Sequence, residues 1–158
     1  MASPKITLPT LGARAAPPSV EEARATLGGR VTLPADARLG ALARFTDARG
    51  AGAEGVVVCE TDREVDVWIG EGRFQRVAIE RVRCDRVADT HPLADVAADA
   101  RLFGSLAEGQ PIRFLGRDGR DREGVLAERC RYGALVSHDG RLFAVSFRRL
   151  WPLVAEGA

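Results

Sequence analysis

The chain repeats itself, and that limits its possible folds more than any other feature. Arg44-Phe45 recurs as Arg113-Phe114, and Glu54-Gly55-Val56 recurs as Glu123-Gly124-Val125, both 69 positions later. After a one-residue slip, Gly72, Val77, Arg81 and Val82 match Gly140, Val145, Arg149 and Leu150 at a spacing of 68. Four anchors in one order, with a single indel, point to one structural plan used twice rather than one continuous core. Each copy spans about 45–50 residues, a marginal size alone, so the copies are expected to pack on each other or on neighbouring helices.

Both copies read as short strands. In the first, Ala41–Phe45 precedes a glycine-rich loop, followed by 55–60, 64–70 and 73–79, with Glu71-Gly72 joining the last two. In the second, the strands are 111–115, 124–130, 134–138 and 141–147. Asp139-Gly140 supplies the two residues that tolerate positive φ in a tight hairpin. Phe143, Val145 and Phe147 alternate with polar or small neighbours, the period of a half-buried strand. Glu80-Arg81-Val82 and Arg148-Arg149-Leu150-Trp151-Pro152 suit a single helical turn before a closing strand.

Two helices are expected. Ser19 and Glu22 form a capping box ahead of Val20, Ala23 and Leu27 on one face, and Gly28-Gly29 stops the run. Pro92 suits a first helical position before the stripe Leu93, Val96, Ala97, Ala100 and Phe103, which ends at Gly104. Residues 1–18 hold four prolines among small residues and read as a flexible arm. The resulting division is an arm at 1–18, a helix with a first strand unit at 19–83, a helical linker at 84–108 and a second strand unit at 109–154.

The segment Ile112–Leu153 resembles the broad class of SH3-like small barrels, including Tudor-like and KOW-like modules. The likeness rests on Arg113-Phe114, the glycine-rich bend, Glu123-Gly124-Val125, Asp139-Gly140-Arg141 and the run 145–152. With the first copy it covers about two thirds of the chain, at the level of fold only. It implies a mainly β protein of tandem SH3-like barrels, each preceded by a short helix. Such barrels generally bind proteins, peptides or nucleic acid through loops and exposed aromatics, although fold does not fix function.

The residues offer little chemistry. Gly50-Ala51-Gly52-Ala53-Glu54-Gly55 spells G-x-G-x-x-G but leads into a strand, so no helix N-terminus is available for a dinucleotide phosphate. His91, His138 and the cysteines show no zinc spacing, and Glu60, Asp62, Glu64 and Asp66 lack the loop glycine of a calcium site. Cys130 and His138 could meet across adjacent strands with Arg129 and Arg131 near the thiol, yet a lone strand cysteine is usually a small buried hydrophobe. No catalytic residue, cofactor or metal is therefore assigned. Three widely spaced cysteines and no secretory pattern suit free thiols in a reducing cytoplasm. No apolar run suffices for a membrane helix. Arginine accounts for all the basic residues but Lys5; with abundant alanine and glycine this suggests GC-rich, bacterial-type coding.

Two partner surfaces follow. If Val65, Val67 and Ile69 face the core, alternation places Glu64, Asp66 and Trp68 outside, where an exposed tryptophan would anchor a protein partner. Residues 109–158 carry nine arginines against six acids. Arg113, Arg117, Arg120, Arg122, Arg129 and Arg131 with Tyr132 and Trp151 offer the phosphate-pairing and base-stacking groups of a nucleic-acid binder. Formal charge is only +1 over the whole chain. The leading expectation is thus a non-catalytic adaptor or accessory protein, with nucleic-acid binding by the second barrel as the alternative.

Overall fold

The computed structural model describes residues 14–15, 19–31, 34–116 and 118–153. It is mainly β with two short helices. In order the elements are β1 (Arg14–Ala15), α1 (Val20–Thr26), β2 (Leu42–Thr46), β3 (Gly52–Glu60), β4 (Glu64–Gly70), β5 (Arg73–Ala78) and β6 (Arg83–Asp85). They continue with α2 (Ala94–Gly104), β7 (Pro111–Leu115), β8 (Asp121–Arg129), β9 (Gly133–His138), β10 (Arg141–Ser146) and β11 (Leu150–Pro152). A single 3₁₀ turn, Ile79–Arg81 or Phe147–Arg149, precedes each last strand.

The two antiparallel sheets share one strand order. The first runs β5-β4-β3-β2-β6, the second β10-β9-β8-β7-β11, with β1 added outside β10. Neither closes into a ring of strands among the described residues. Register is shared too: Leu42 pairs with Val56 and Pro111 with Val125, while Val56 pairs with Trp68 and Val125 with Ser137. A β-bulge interrupts β3 between Val57 and Cys59 and β8 between Leu126 and Glu128, again 69 residues apart.

The repeated Glu-Gly-Val has a steric reason. A Cβ on Gly55 would lie 2.1 Å from the Trp68 carbonyl oxygen, and one on Gly124 would lie 2.5 Å from that of Ser137. Both distances are too short for any side chain, so the crossing strands approach closely only at glycine. The one-residue slip has a location as well. β4 and β5 carry a second bulge between Trp68 and Gly70, placing Ile69 as an extra residue, whereas β9 and β10 pair without interruption up to Asp139-Gly140. That turn uses positive φ at both residues, 50° and 73°.

The chain forms two compact units whose division departs from the boundaries at 83 and 108. A terminal unit combines Met1–Val31 with Ser105–Ala158, and a central unit holds Thr32–Gly104. Each helix therefore belongs with the sheet that the linear order would not give it. Leu27, Cys130, Leu135 and Ala144 form one buried cluster with Ala23, so α1 sits on the β9–β10 part of the second sheet. Burying Leu27 alone contributes about 2 kcal/mol. Backbone bonds continue the attachment: Val31 N donates to Arg129 O (3.3 Å), Arg131 N to Gly29 O (3.1 Å) and Tyr132 N to Leu27 O (2.9 Å). Arg24 adds a two-pronged ion pair with Glu128.

In the central unit, α2 runs along β3. Ala43, Phe45, Val57, Val65, Val67 and Val77 form the inner cluster. Pleat alternation turns Leu42 and Val56 to the other face. Both are buried there, as are Val96, Ala97, Ala100 and Phe103 of the helix. The helix begins at Ala94 rather than at Pro92. Leu93 N donates to His91 Nδ1 (3.0 Å), so the histidine and proline form the turn before it. Ser19 caps α1 as expected, accepting from Glu22 N at 3.2 Å.

Candidate protein-docking face

The outer face of β11, β7 and β8 in the terminal unit carries two of the exposed large hydrophobic residues, Val125 and Leu153. Ile112, Phe114, Leu126, Val136 and Val145 are fully buried on the inner side. Alternation therefore sends Pro111, Arg113, Glu123 and Val125 outward. Pairing aligns them in two rows. Leu153 N donates to Pro111 O (3.4 Å) and Pro111 pairs with Val125, giving an apolar row Leu153–Pro111–Val125. Trp151 pairs with Arg113, and Arg113 with Glu123, giving the second row. Val125 is 42% exposed and Leu153 39%. The Arg113 guanidinium lies 5.1 Å from the centroid of the half-buried Trp151 ring, a cation–π contact that holds both side chains on this face.

Among the described residues, several members of the expected nucleic-acid set are engaged within the fold. Arg113 and Trp151 meet here; Arg117 lies outside the described residues. Arg122 makes a bidentate pair with Asp118 (3.0 and 2.8 Å), and Arg120 contributes its backbone N–H to the same carboxylate at 3.0 Å. These bonds hold the Asp118 carboxyl far below the usual carboxylate range, the Arg122 side chain contributing most. Arg129 turns into its own unit, donating to Leu106 O at 3.3 Å. Tyr132 packs beside Gly28, where an added Cβ would meet its ring at 2.7 Å. Arg131 is half-buried nearby in sequence.

The protein-binding set also differs from expectation. Val65 and Val67 do face the core, and Glu64, Asp66 and Trp68 occupy the opposite face, but that face is not open. Asp66 is 0% exposed and Trp68 half-buried. Arg76 on β5 donates to Asp66 (3.1 Å) and lies 3.5 Å from Glu64, so the acids are matched within the sheet. Alternation reports which face a residue occupies; it carries no information on whether that face is covered.

Cys130 and His138 are not brought together. Arg129 pairs with Ala134 near the turn, whereas Val125 pairs with Ser137 at the far end of the β8–β9 ladder. At about 3.3 Å per residue, the two side chains are separated by most of the strand. Burial pushes the Cys130 thiol up to about 12, with nearby Glu128 adding to the effect. Burial likewise raises Cys84. Both thiols are held in the unreactive protonated form at neutral pH. The 50–55 glycines form the β2–β3 turn and the start of β3. Among the described residues, no group of three or more His, Cys, Asp or Glu is placed to hold a metal ion, and no helix is long and apolar enough to cross a membrane.

Sequence reasoning missed Pro111, Val125 and Leu153. Pro-Ile-Arg-Phe and Gly-Val-Leu alternate too little to show which hydrophobe points outward. The available signal was the repeat, which matches Val125 to Val56. No protein-family model matches the chain, and no curated protein matches it at a significant level.

Proposed function

We propose that this protein is a non-catalytic adaptor or accessory subunit, built on two SH3-like units, that docks a protein partner on its β11–β7–β8 face. The barrel reading is supported by the meander order, by a 3₁₀ turn returning the last strand to the first, and by matched bulges in the second strand. A reducing cytoplasm suits its free thiols.

The docking reading rests on one observation: in the apolar row Leu153–Pro111–Val125, Pro111 and Val125 are exposed where their counterparts Leu42 and Val56 are buried. Trp151 backed by Arg113 adds an aromatic–arginine pair of the kind enriched among interface anchors. Protein docking is favoured over nucleic acid because Arg122 and Arg129 are already engaged within the fold and Glu123 shares the face.

The test is site-specific photo-crosslinking in cells, with benzoylphenylalanine replacing Val125 and, as a control in the other unit, the exposed Leu102. A discrete protein adduct from position 125 that survives nuclease, and that also forms when a cell extract at about 0.5 M salt is irradiated, is expected. Nucleic-acid adducts, or the same products from both positions, overturn the reading.

A further inference from the structure

Equivalent places in the two units are filled differently. In the terminal unit, Phe114, His138 and Phe143 close the space between the β7–β8 and β9–β10 hairpins. Their ring centroids lie 5.4 Å apart for Phe114–Phe143, 5.8 Å for Phe114–His138 and 5.9 Å for His138–Phe143. Arg141 caps the cluster, its guanidinium 5.9 Å from the Phe143 ring. Register equates Phe114 with Phe45, Arg141 with Arg73, Phe143 with Gln75 and His138 with Gly70. The central unit thus keeps the inner phenylalanine and the capping arginine but replaces both closing rings. A cleft of about 420 Å³ lies there, with Phe45, Ala53 and Ile69 as its apolar side and Arg49, Arg73 and Gln75 at its rim.

The rim charges indicate what enters. Asp47 Oδ1 accepts from the backbone N–H groups of Arg49 (2.8 Å) and Ala51 (3.0 Å), which commits that carboxylate to the loop. Glu54 is paired with Arg44 at 3.2 Å. Among the described residues, neither Arg49 nor Arg73 takes part in an ion pair. Arg49 and Arg73 therefore flank a cleft of mixed polarity, lined also by Asp47 and Glu54, whose counterpart is filled by aromatic rings under an arginine.

We propose that this cleft is a second binding site, which takes an aromatic side chain from an acidic peptide segment of a partner. The guest ring occupies the place of Phe143 against Phe45 and beneath Arg73, and neighbouring carboxylates pair with Arg49 and Arg73. Desolvated stacking under a guanidinium favours a ring over an aliphatic chain, and arginine selects carboxylates on either side of it. This site is independent of the β11–β7–β8 face and goes beyond the reading given for that face.

The probe is an acetylated, amidated Glu-Phe-Glu tripeptide titrated into the isotopically labelled full chain, with Glu-Ala-Glu as its control. Saturable amide shifts at Phe45, Ala53, Ile69 and Gln75 are expected with Glu-Phe-Glu, with Kd in the range of about 0.1–1 mM. Gln75→Phe restores the plug of the other unit and is expected to weaken binding at least about tenfold, a loss of about 1.4 kcal/mol, while the remaining spectrum stays folded. Arg73→Ala tests the cap and should weaken Glu-Phe-Glu more than it weakens a Gln-Phe-Gln peptide. Val125→Asp should leave the titration unchanged, which separates this site from the docking face. No saturable shift, equal binding by Glu-Ala-Glu, or undiminished binding by Gln75→Phe overturns the proposal.

Discussion

The two units have the same strand order and register, yet they solve the problem of covering a sheet in different ways. In the central unit, α2 lies along β3 and the outer Leu42 and Val56 are buried, while the β4–β5 face carries the matched ions Glu64, Asp66 and Arg76. In the terminal unit, α1 packs with Leu135 and Ala144 on the β9–β10 side instead. That leaves Val125 and Pro111, the counterparts of Val56 and Leu42, facing solvent. Strand order is thus a property of the repeat, whereas covering is a property of each unit. Residues with identical backbone roles can be core in one copy and solvent-exposed in the other.

The largest expected effect tests whether filled and open ends differ energetically. Phe114→Ala removes a fully buried ring that touches His138 and Phe143, and should destabilise the terminal unit by about 4 kcal/mol in chemical denaturation. Phe45→Ala acts beside an already open cleft and should cost at least about 1 kcal/mol less. Equal losses would mean that the cleft is not a real difference between the units.

The next prediction concerns what the units share. Gly55→Ala and Gly124→Ala each force a Cβ against a carbonyl oxygen across the strand. Both should destabilise by about 2–3 kcal/mol, because backbone must move in each case. Gly52→Ala, with open space around its Cβ direction, is the control and should cost less. A large effect in only one copy would break the equivalence of the sheets.

Helix attachment gives a smaller and pH-dependent effect. The Arg24 hydrogen bonds lower the Glu128 carboxyl below its ordinary 4.5. A carboxylate with a depressed folded value stabilises the native state above its unfolded value, and that contribution fades as pH falls through the folded value. Glu128→Gln should therefore cost about 1 kcal/mol at neutral pH, and its difference from the parent should shrink as pH drops below 4.5. Cys130 behaves oppositely. Its raised folded value means stability is retained below the ordinary 9.0 and lost as pH climbs toward 12. Accordingly, Cys130→Ala should flatten that alkaline decline, and iodoacetamide should label native Cys130 only slowly at pH 8, as read by mass spectrometry. Last, Leu153→Asp should change stability by less than about 0.5 kcal/mol while abolishing the adduct formed by benzoylphenylalanine at position 125.

Much of the architecture is legible because its signals are local. Glu64–Gly70 and Pro111–Leu115 have the ends that the sequence indicates, and Asp139-Gly140 makes the tight turn its residue types require. Other strand ends shift: β3 begins at Gly52, three residues before Gly55, because its ladder with β2 extends to the Thr46–Gly52 pair. Ser19 caps α1, but Pro92 stands two residues before α2 because His91 supplies the turn that precedes the helix. The candidate sites were much less legible. Tyr132 and Arg129 looked available in sequence, yet Gly28 and Leu106 meet them from segments more than twenty residues away. Asp66 looked exposed because alternation describes direction alone.

The sequence by itself determined the duplication, the run of strands, the tight turns and the glycines at which strands cross. Each follows from steric limits on neighbouring residues or from a period-two pattern along one strand. Only the tertiary structure decided that α1 belongs with the second sheet and α2 with the first, that Val125 is bare where Val56 is buried, and that Gln75 leaves open what Phe143 closes. Those outcomes depend on which distant surface gains most by excluding water, a comparison between segments that no local pattern contains.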